Sequence, residues 1–336
     1  MSNLPRVVIV GAGSIGERHL RCFSATDRAT VEFVEPRDEL RDAIAARYPQ
    51  ARPHANYESA LEQPADCVVI ATPAPLHVPQ AIVALNHGCH LLIEKPLGVT
   101  TEGIQQLREA ASSQSTTTAI AYVYRAHPVL MEMRAAICSG QFGRPLELVA
   151  VCGQHFPFYR PAYAQTYYTS HATGGGAIQD ALTHIINAGQ WLIGDIDRVV
   201  ADAAHLRLEN VEVEDTVHVL ARHGDILASY ALNQHQAPNE TTITVICERG
   251  TLRFENHANR WRSAIEPGED WTDHPGEPLE RDTLFTRQAN AFLDACFEGA
   301  APLCDLEQGI TTLHGNLAIL RSVESGQWQP VEKNNA

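Results

Sequence analysis

The chain has 336 residues, more than one hydrophobic core ordinarily serves, so two domains are expected. Hydrophobic residues make up 44% and charged residues 19%, a balance that offsets chain entropy and excludes wholesale disorder. The 40 Asp and Glu against 25 Lys and Arg leave a formal charge of −15, which disfavours a nucleic-acid partner, although a pocket's local field can oppose the net sign.

The N-terminal MSNLPRVVIVGAG runs directly into a strand pattern, with no basic region and apolar run ahead of a small-residue cleavage site. No stretch of about 18 uninterrupted apolar residues occurs, so a membrane span is not expected and a cytoplasmic protein is. Short β-branched runs at Arg6–Val10, Val31–Val34, Cys67–Ala71, His90–Ile93 and Thr116–Tyr122 predict strands. They alternate with predicted helices at Ser14–Phe23, Glu39–Arg47, Pro75–His87 and Thr101–Ser112. That rhythm is the signature of βαβ units, a doubly wound parallel sheet covered on both faces.

The pattern changes near residue 124, which divides the chain into a first domain over 1–123 and a second over 124–336. A predicted helix at Pro128–Ser139 leads to a strand at Leu146–Cys152, an aromatic loop from His155 to Tyr168, and a helix at Ala177–Ile193. Strands follow at Val199–Leu208, Asp215–Arg222, Ile226–Gln236, Thr242–Glu248 and Thr251–Phe254. Short returns between them favour antiparallel pairing. Residues 256–279, rich in Pro, Gly and acid, read as a surface excursion before closing helices at Asp282–Phe297 and Asp305–Ser322. The eight cysteines include no C-x-x-C pair and read as buried free thiols.

Gly11-Ala12-Gly13-Ser14-Ile15-Gly16 follows the first strand and opens a helix, the context that gives G-x-G-x-x-G meaning. Gly11 permits the tight turn, Gly13 lets backbone approach a pyrophosphate, and Gly16 lets the helix lie close to the strand. Ser14 and Ile15 carry the N–H groups of the helix start. Glu35 ends the second strand about 20 residues on, where an acid accepts hydrogen bonds from an adenosine ribose. A carboxylate about 5 Å from a 2′-phosphate charge would cost roughly 3 kcal/mol at an effective dielectric near 20, which favours NAD over NADP. Arg37 offsets part of that cost if it pairs with the phosphate, and is otherwise a solvated charge.

Glu94-Lys95-Pro96 stands at the carboxyl end of a strand, where open α/β sheets bind ligands, so Lys95 is placed where a nicotinamide is expected. The alternative is an exposed strand-end lysine. Gly174-Gly175-Gly176 precedes a helix on which Asp180 and His184, spaced i, i+4, share one face. Such a pair is by itself often only a surface ion pair.

Together GAGSIG, ATPAPLH, EKPLGVT, YRAHP and GGGAIQDALTHIINAGQWLIG resemble the Gfo/Idh/MocA family of glucose-fructose oxidoreductase and inositol dehydrogenase, and the likeness extends to the closing helices. The resemblance implies a Rossmann domain followed by an α/β domain whose large, mostly antiparallel sheet often mediates homo-oligomerisation, as a homodimer or homotetramer. It implies NAD(P)-linked oxidation of a sugar or cyclitol, with further cofactor contacts from Thr72, Pro73, His77 and Glu94. Lys95 is expected to hold the reacting oxygen, His184 to act as general base, and Asp180 to orient substrate or tune His184. The chemistry agrees, since removing a hydroxyl proton needs a base near neutral pKa and a lysine cation stabilises alkoxide charge. Zinc ligated by Asp180, His184 and His155 would serve the same end, but Lys95 makes it unnecessary and no metal is expected.

Arg160, Tyr163 and His155, in the aromatic loop, are candidate substrate contacts, because aromatic faces stack on sugar rings and Arg binds carboxylates. The loop would equally serve a subunit contact. Tyr124 and Arg125 are candidates for substrate contact or for helix-start packing. Two other functions remain open on sequence: a redox-neutral enzyme that oxidises transiently before elimination, epimerisation or glycoside cleavage, and a nucleotide-sensing regulator, which would have no use for Lys95, Asp180 and His184.

Overall fold

The computed structural model describes residues 4–333. The first compact unit comprises the chain up to Ala126 together with Glu280–Gly309, and the second comprises His127–Leu279 together with the chain from Ile310.

The first unit is built on six parallel strands: β1 (Arg6–Val10), β2 (Thr30–Val34), β3 (Arg52–His54), β4 (Cys67–Ile70), β5 (His90–Ile93) and β6 (Thr118–Ile120). Their order is β3-β2-β1-β4-β5-β6. Helices α1 (Ser14–Ser24), α2 (Asp38–Arg47), α3 (Tyr57–Leu61), α4 (His77–Asn86) and α5 (Ile104–Ser112) connect them. The central strands are apolar on both faces, as a sheet sandwiched between helices requires: Val7, Val8 and Ile9 of β1 and all of Cys67–Ile70 are fully buried. Strand β3 and helix α3 are missing from the sequence reading because three to five residues carry no periodic signal, and Pro53 is tolerated only because β3 is an edge strand.

In the second unit, α6 (Pro128–Cys138) precedes β7 (Pro145–Gly153), the single turn α7 (Phe156–Tyr159) and α8 (Thr183–Ile193). There follow β8 (Arg198–Ala204), β9 (Thr216–His223), β10 (Ile226–Asn233), β11 (Glu240–Cys247), β12 (Gly250–Glu255), β13 (Arg260–Ala264), β14 (Thr272–Pro275) and β15 (Gln329–Pro330). These form one nine-stranded sheet in the order β14-β13-β12-β11-β7-β10-β9-β8-β15. Its pairs are antiparallel except β7 with β10, which are parallel because the chain passes from β10 across β7 to reach β11.

Residues 256–279 are not an excursion. Strands β13 and β14 extend the sheet there, with Trp261 stacked on His274 at 3.8 Å and Arg260 and Arg262 both paired to Asp273 across the strands. Pro and Gly punctuation obscured these cross-strand pairs.

The closing helices are α9 (Thr283–Phe297) and α10 (Leu306–Ser325). The leading segment of the first unit ends at Ala126, where the sequence places the division after residue 123. The segment Glu280–Gly309, however, packs with the first unit rather than the second. Ala289, Phe292 and Leu293 join the core around Leu20 and Phe23 of α1, with the Phe23 and Phe292 rings edge to face at 6.1 Å. Among the described residues no helix is long and apolar enough to cross a membrane.

Asp215 fixes the turn between β8 and β9. It is fully buried and accepts the N–H groups of Leu206, Arg207 and Leu208 at 3.1, 2.7 and 2.8 Å, and the Thr216 hydroxyl at 2.8 Å. Burial opposes ionisation, but these bonds outweigh it and hold the carboxyl below its ordinary range. Asp215→Asn is therefore expected to destabilise the protein by about 2 kcal/mol. Because the folded-state pKa is lowered, the stabilisation is complete above the unfolded pKa of about 4 and is lost as pH falls through the folded value. Thermal melts of both proteins across acidic pH should show the difference shrinking below that point.

Candidate functional site

In the first unit, strand order reverses between β1 and β4, so the loops leaving their carboxyl ends flank the crevice where such sheets bind ligands. The loop after β1 has the shape its glycines dictate. Gly11 has φ +88°, and a Cβ there would lie 2.9 Å from the Ala71 carbonyl oxygen. A Cβ on Gly16 would lie 1.7 Å from the Gly11 carbonyl oxygen, so only glycine lets α1 start this close to the strand. At Gly13, by contrast, an added Cβ meets nothing within 4 Å. The start of α1 takes no side-chain cap, and Ser14 is exposed. An open backbone cradle at an uncapped helix N-terminus fits a dinucleotide pyrophosphate. Thr72 is half-buried and Pro73 exposed on the facing loop after β4, with the Thr72 hydroxyl donating to Gln80 at 2.7 Å.

Glu35 directly follows β2. Its carboxylate accepts the Ala12 N–H at 3.3 Å and is held by the Arg37 guanidinium, Nε to Oε1 at 2.7 Å and Nη2 to Oε2 at 3.0 Å. Burial works against the charge, but Arg37 and the two backbone N–H groups prevail and hold the carboxyl below its usual range.

Two expected cofactor contacts have other work. His77 is 1% exposed, and its ring nitrogens bond the carbonyl oxygens of Pro96 (2.9 Å) and Thr72 (2.7 Å). It lies between the loop after β4 and the loop after β5; burial pushes its pKa down against the pull of both carbonyls, and the neutral ring donates to one of the two. Glu94 is 5% exposed, and its carboxylate meets His19 Nε2 at 2.7 Å and the Lys95 backbone N–H at 3.0 Å. Burial again opposes the charge, but His19 and Lys95 keep the Glu94 carboxyl below its usual range. Glu94 thus fixes the backbone from which half-buried Lys95 projects at the carboxyl end of β5. Sequence reading missed His19. Its signal is a histidine on the buried face of α1 with Gly16, Leu20 and Phe23, where a polar ring requires a partner.

In the second unit, the glycine run allows the chain to turn tightly into the helix. A Cβ on Gly175 would lie 2.1 Å from the Tyr168 carbonyl oxygen; Gly176 has φ +86°, and its Cβ would lie 2.6 Å from the Glu214 carboxylate. That carboxylate accepts the Ile178 N–H at 2.9 Å. The expected continuous helix begins instead as a π-helical turn, Ile178–Leu182, and becomes α8 at Thr183. Such turns recur at functional sites. Asp180 lies in the π turn, 3% exposed, and half-buried His184 opens α8.

Buried polar bonds set the rotation of α8: Asn187 Nδ2 donates to Thr312 (2.9 Å), Thr312 to Gln190 (2.9 Å) and Asn316 to Thr183 (2.7 Å). None of these pairings between α8 and α10 was visible in the sequence, because more than a hundred positions separate the partners and no local rule connects them.

The aromatic loop divides into core and surface. Phe156, Tyr163 and Tyr168 form a buried cluster with Leu208, Val211 and Val213. Tyr163 is therefore a packing residue: its hydroxyl donates to the Glu209 carbonyl at 2.9 Å and accepts the Glu209 N–H at 3.0 Å. His155 caps α7, its Nδ1 accepting the Phe158 N–H at 3.3 Å. Arg160 remains exposed, and its Nη1 lies 3.8 Å from Asp180 Oδ2. The Tyr167 hydroxyl, absent from the sequence candidates, donates to Asp180 Oδ1 at 2.7 Å. Asp180 is thus bracketed by a cation and a phenol, an arrangement able to orient a polyhydroxylated ligand. Arg125 is buried in the first unit and donates to the Leu303 carbonyl (3.1 Å) and Gln308 (2.6 Å). Tyr124 is half-buried in the Val123–Ala126 turn.

A parallel sheet of this order with a glycine turn after its first strand defines a Rossmann-type dinucleotide-binding unit, and the second unit carries a large, mostly antiparallel sheet. Residues 5–122 match the oxidoreductase family's NAD-binding Rossmann fold, and residues 130–253 match the GFO/IDH/MocA C-terminal domain. The chain belongs to the Gfo/Idh/MocA family. Inositol 2-dehydrogenase of Acidothermus cellulolyticus is 30% identical over 223 residues, which are 65% of this chain and 62%, less than two thirds, of that protein. Inositol 2-dehydrogenase of Corynebacterium glutamicum is 27% identical over 315 residues, 89% of this chain and 88% of that one. Levoglucosan dehydrogenase, solved in complex with NADH and levoglucosan, superposes with a TM-score of 0.89 at 22% identity, covering 99% of this chain and 100% of that one; this likeness bears on fold alone.

Proposed function

We propose that the protein is an NAD-dependent dehydrogenase that oxidises a secondary hydroxyl of a sugar, sugar derivative or inositol, with Lys95 holding the reacting oxygen and His184 as general base. The observation that carries this reading is Lys95 itself, at the carboxyl end of β5 on a backbone fixed by Glu94. A lysine there presents its cation at the carboxyl edge of the sheet, where an oxygen gaining negative charge can be stabilised. NAD, when bound, accepts the hydride. The chain's own residues do the rest: Lys95 stabilises negative charge on the oxygen, His184 takes the hydroxyl proton, and Asp180 orients the substrate from the π turn. The names of the relatives, inositol and levoglucosan dehydrogenases, support a polyhydroxylated ring as substrate.

The test is a panel of inositols, hexoses, anhydrosugars and uronates with NAD and NADP in parallel, followed by the near-ultraviolet absorbance of the reduced cofactor. Turnover of at least one cyclic polyol with NAD is expected; turnover of none would remove the proposal. Arg160, beside Asp180, is assigned to the substrate. Arg160→Ala should raise KM about tenfold and leave NADH affinity unchanged, and an unchanged KM would take the residue out of the pocket.

The second unit also offers a surface for self-association. One face of the nine-stranded sheet exposes Val151, Leu220 and Leu227 on neighbouring strands β7, β9 and β10. A homodimer or homotetramer through this face is the expected state, and light scattering that gives a monomer at micromolar concentration would contradict it.

A further inference from the structure

Burial makes several of the cysteines unreactive, pushing the thiols of Cys22, Cys89, Cys152 and Cys247 up from their ordinary range. Cys67 and Cys296 differ because they meet each other. Cys67 opens β4 and is fully buried; Cys296, half-buried in the last turn of α9, packs against it in the core of the first unit. The two thiols are hydrogen-bonded. His90 opens β5 and is the register partner of Cys67 on the neighbouring strand. Its Nδ1 accepts the Thr117 N–H at 2.9 Å, so a neutral ring carries its hydrogen on Nε2, and the ring also bonds Cys296. Two contacts hold the end of α9 on the sheet beside them: the Thr117 hydroxyl donates to the Ala295 carbonyl at 3.1 Å, and the Phe297 ring meets His90 edge to face at 5.4 Å. The hydrogen bond with Cys67 lowers the Cys296 pKa, with burial opposing and His90 assisting, while that bond and burial raise the Cys67 pKa. One sulfur is thus favoured as thiolate and its neighbour keeps its proton, the division between an attacking and a resolving cysteine.

We propose that Cys296, Cys67 and His90 form a dithiol site that a hydroperoxide oxidises to a Cys67–Cys296 disulfide. With hydrogen peroxide, the Cys296 thiolate attacks one oxygen: an S–O bond forms, the O–O bond breaks, and hydroxide leaves and takes up the proton Cys296 had released. The Cys67 sulfur then attacks the sulfenic sulfur of Cys296; the S–S bond forms, the S–O bond breaks, and the departing hydroxide leaves as water with the Cys67 proton. Two thiols lose two electrons and two hydrogens, and one peroxide becomes two waters. A dithiol reductant reverses the change by exchange. The site lies at the amino ends of β4 and β5, on the opposite edge of the sheet from the glycine turn and Lys95. Its disulfide would join the returning segment Glu280–Gly309 covalently to the sheet on which it packs.

Peptide mapping tests this. The native chain is treated with hydrogen peroxide, quenched with catalase, alkylated with iodoacetamide and digested without reductant. The peptides carrying Cys67 and Cys296 are expected as one cross-linked species that separates on reduction, formed about tenfold faster than exposed Cys138 is oxidised. In Cys67→Ala, Cys296 should stop at the sulfenic acid and be captured by dimedone. His90→Leu should slow the loss of the Cys296 thiol about tenfold while Cys138 reacts as before, a contrast that a merely structural histidine would not produce. Thermal melts verify folding, and should a variant not fold, the native chain decides alone. Cys296 that is still fully alkylated when Cys138 has been oxidised, or Cys296 that is oxidised without the link to Cys67, overturns the proposal.

Discussion

Lys95→Met is expected to bind NADH as the native chain does and to turn over about a thousandfold or more slowly. Methionine keeps the length and much of the apolar stem of lysine but has no charge, so the change isolates the electrostatic role. The surrounding structure supports that isolation. The Glu94 carboxylate is anchored by His19 and by the backbone N–H of residue 95, which methionine also has, and His77 holds the adjoining Pro96 carbonyl. The open glycine turn after β1, proposed to take the pyrophosphate, is a separate loop. Nucleotide affinity and catalysis should therefore separate, with kcat falling and the Kd for NADH unchanged. Lys95→Met with full activity would remove Lys95 from the mechanism.

His184→Ala is the second large effect: kcat is expected to fall by a factor of about a hundred to ten thousand, the usual contribution of a positioned general base. The acidic limb of the pH profile for oxidation should disappear with the imidazole, and added imidazole should restore part of the rate. The substitution should leave the helix in place, because Thr183, Asn187 and Gln190 bond α8 to α10. A pH profile that survives His184→Ala would show that another group takes the proton.

Features fixed by local geometry were legible in the sequence. The glycine turn reads directly, since Gly11 and Gly16 each stand where a Cβ would strike backbone, and Glu35 follows from its place at the end of β2. The parallel order of the first sheet follows from continuous apolar strands alternating with helices. What remained hidden depends on residues far apart in the chain. His19 and Glu94, 75 positions apart, make the bond that fixes the strand end carrying Lys95, and no pattern within either segment announces it. In the aromatic loop the residues follow no regular period, so the sequence could not tell that Phe156, Tyr163 and Tyr168 turn inward while Tyr167 reaches Asp180. The return of Glu280–Gly309 to the first unit is likewise invisible locally, because the apolar stripe of α9 fits any partner surface until Phe23 is seen against Phe292.

A dehydrogenase and a redox-neutral enzyme would share every residue discussed above, and they differ in what leaves the site. The deciding measurement is the amount of NADH formed against the amount of sugar or cyclitol consumed, with the best substrate of the panel and NAD in excess. Net dehydrogenation predicts that NADH and the keto product appear mole for mole with substrate lost. Consumption of substrate without accumulation of NADH would contradict the account and assign the same residues to a transient oxidation.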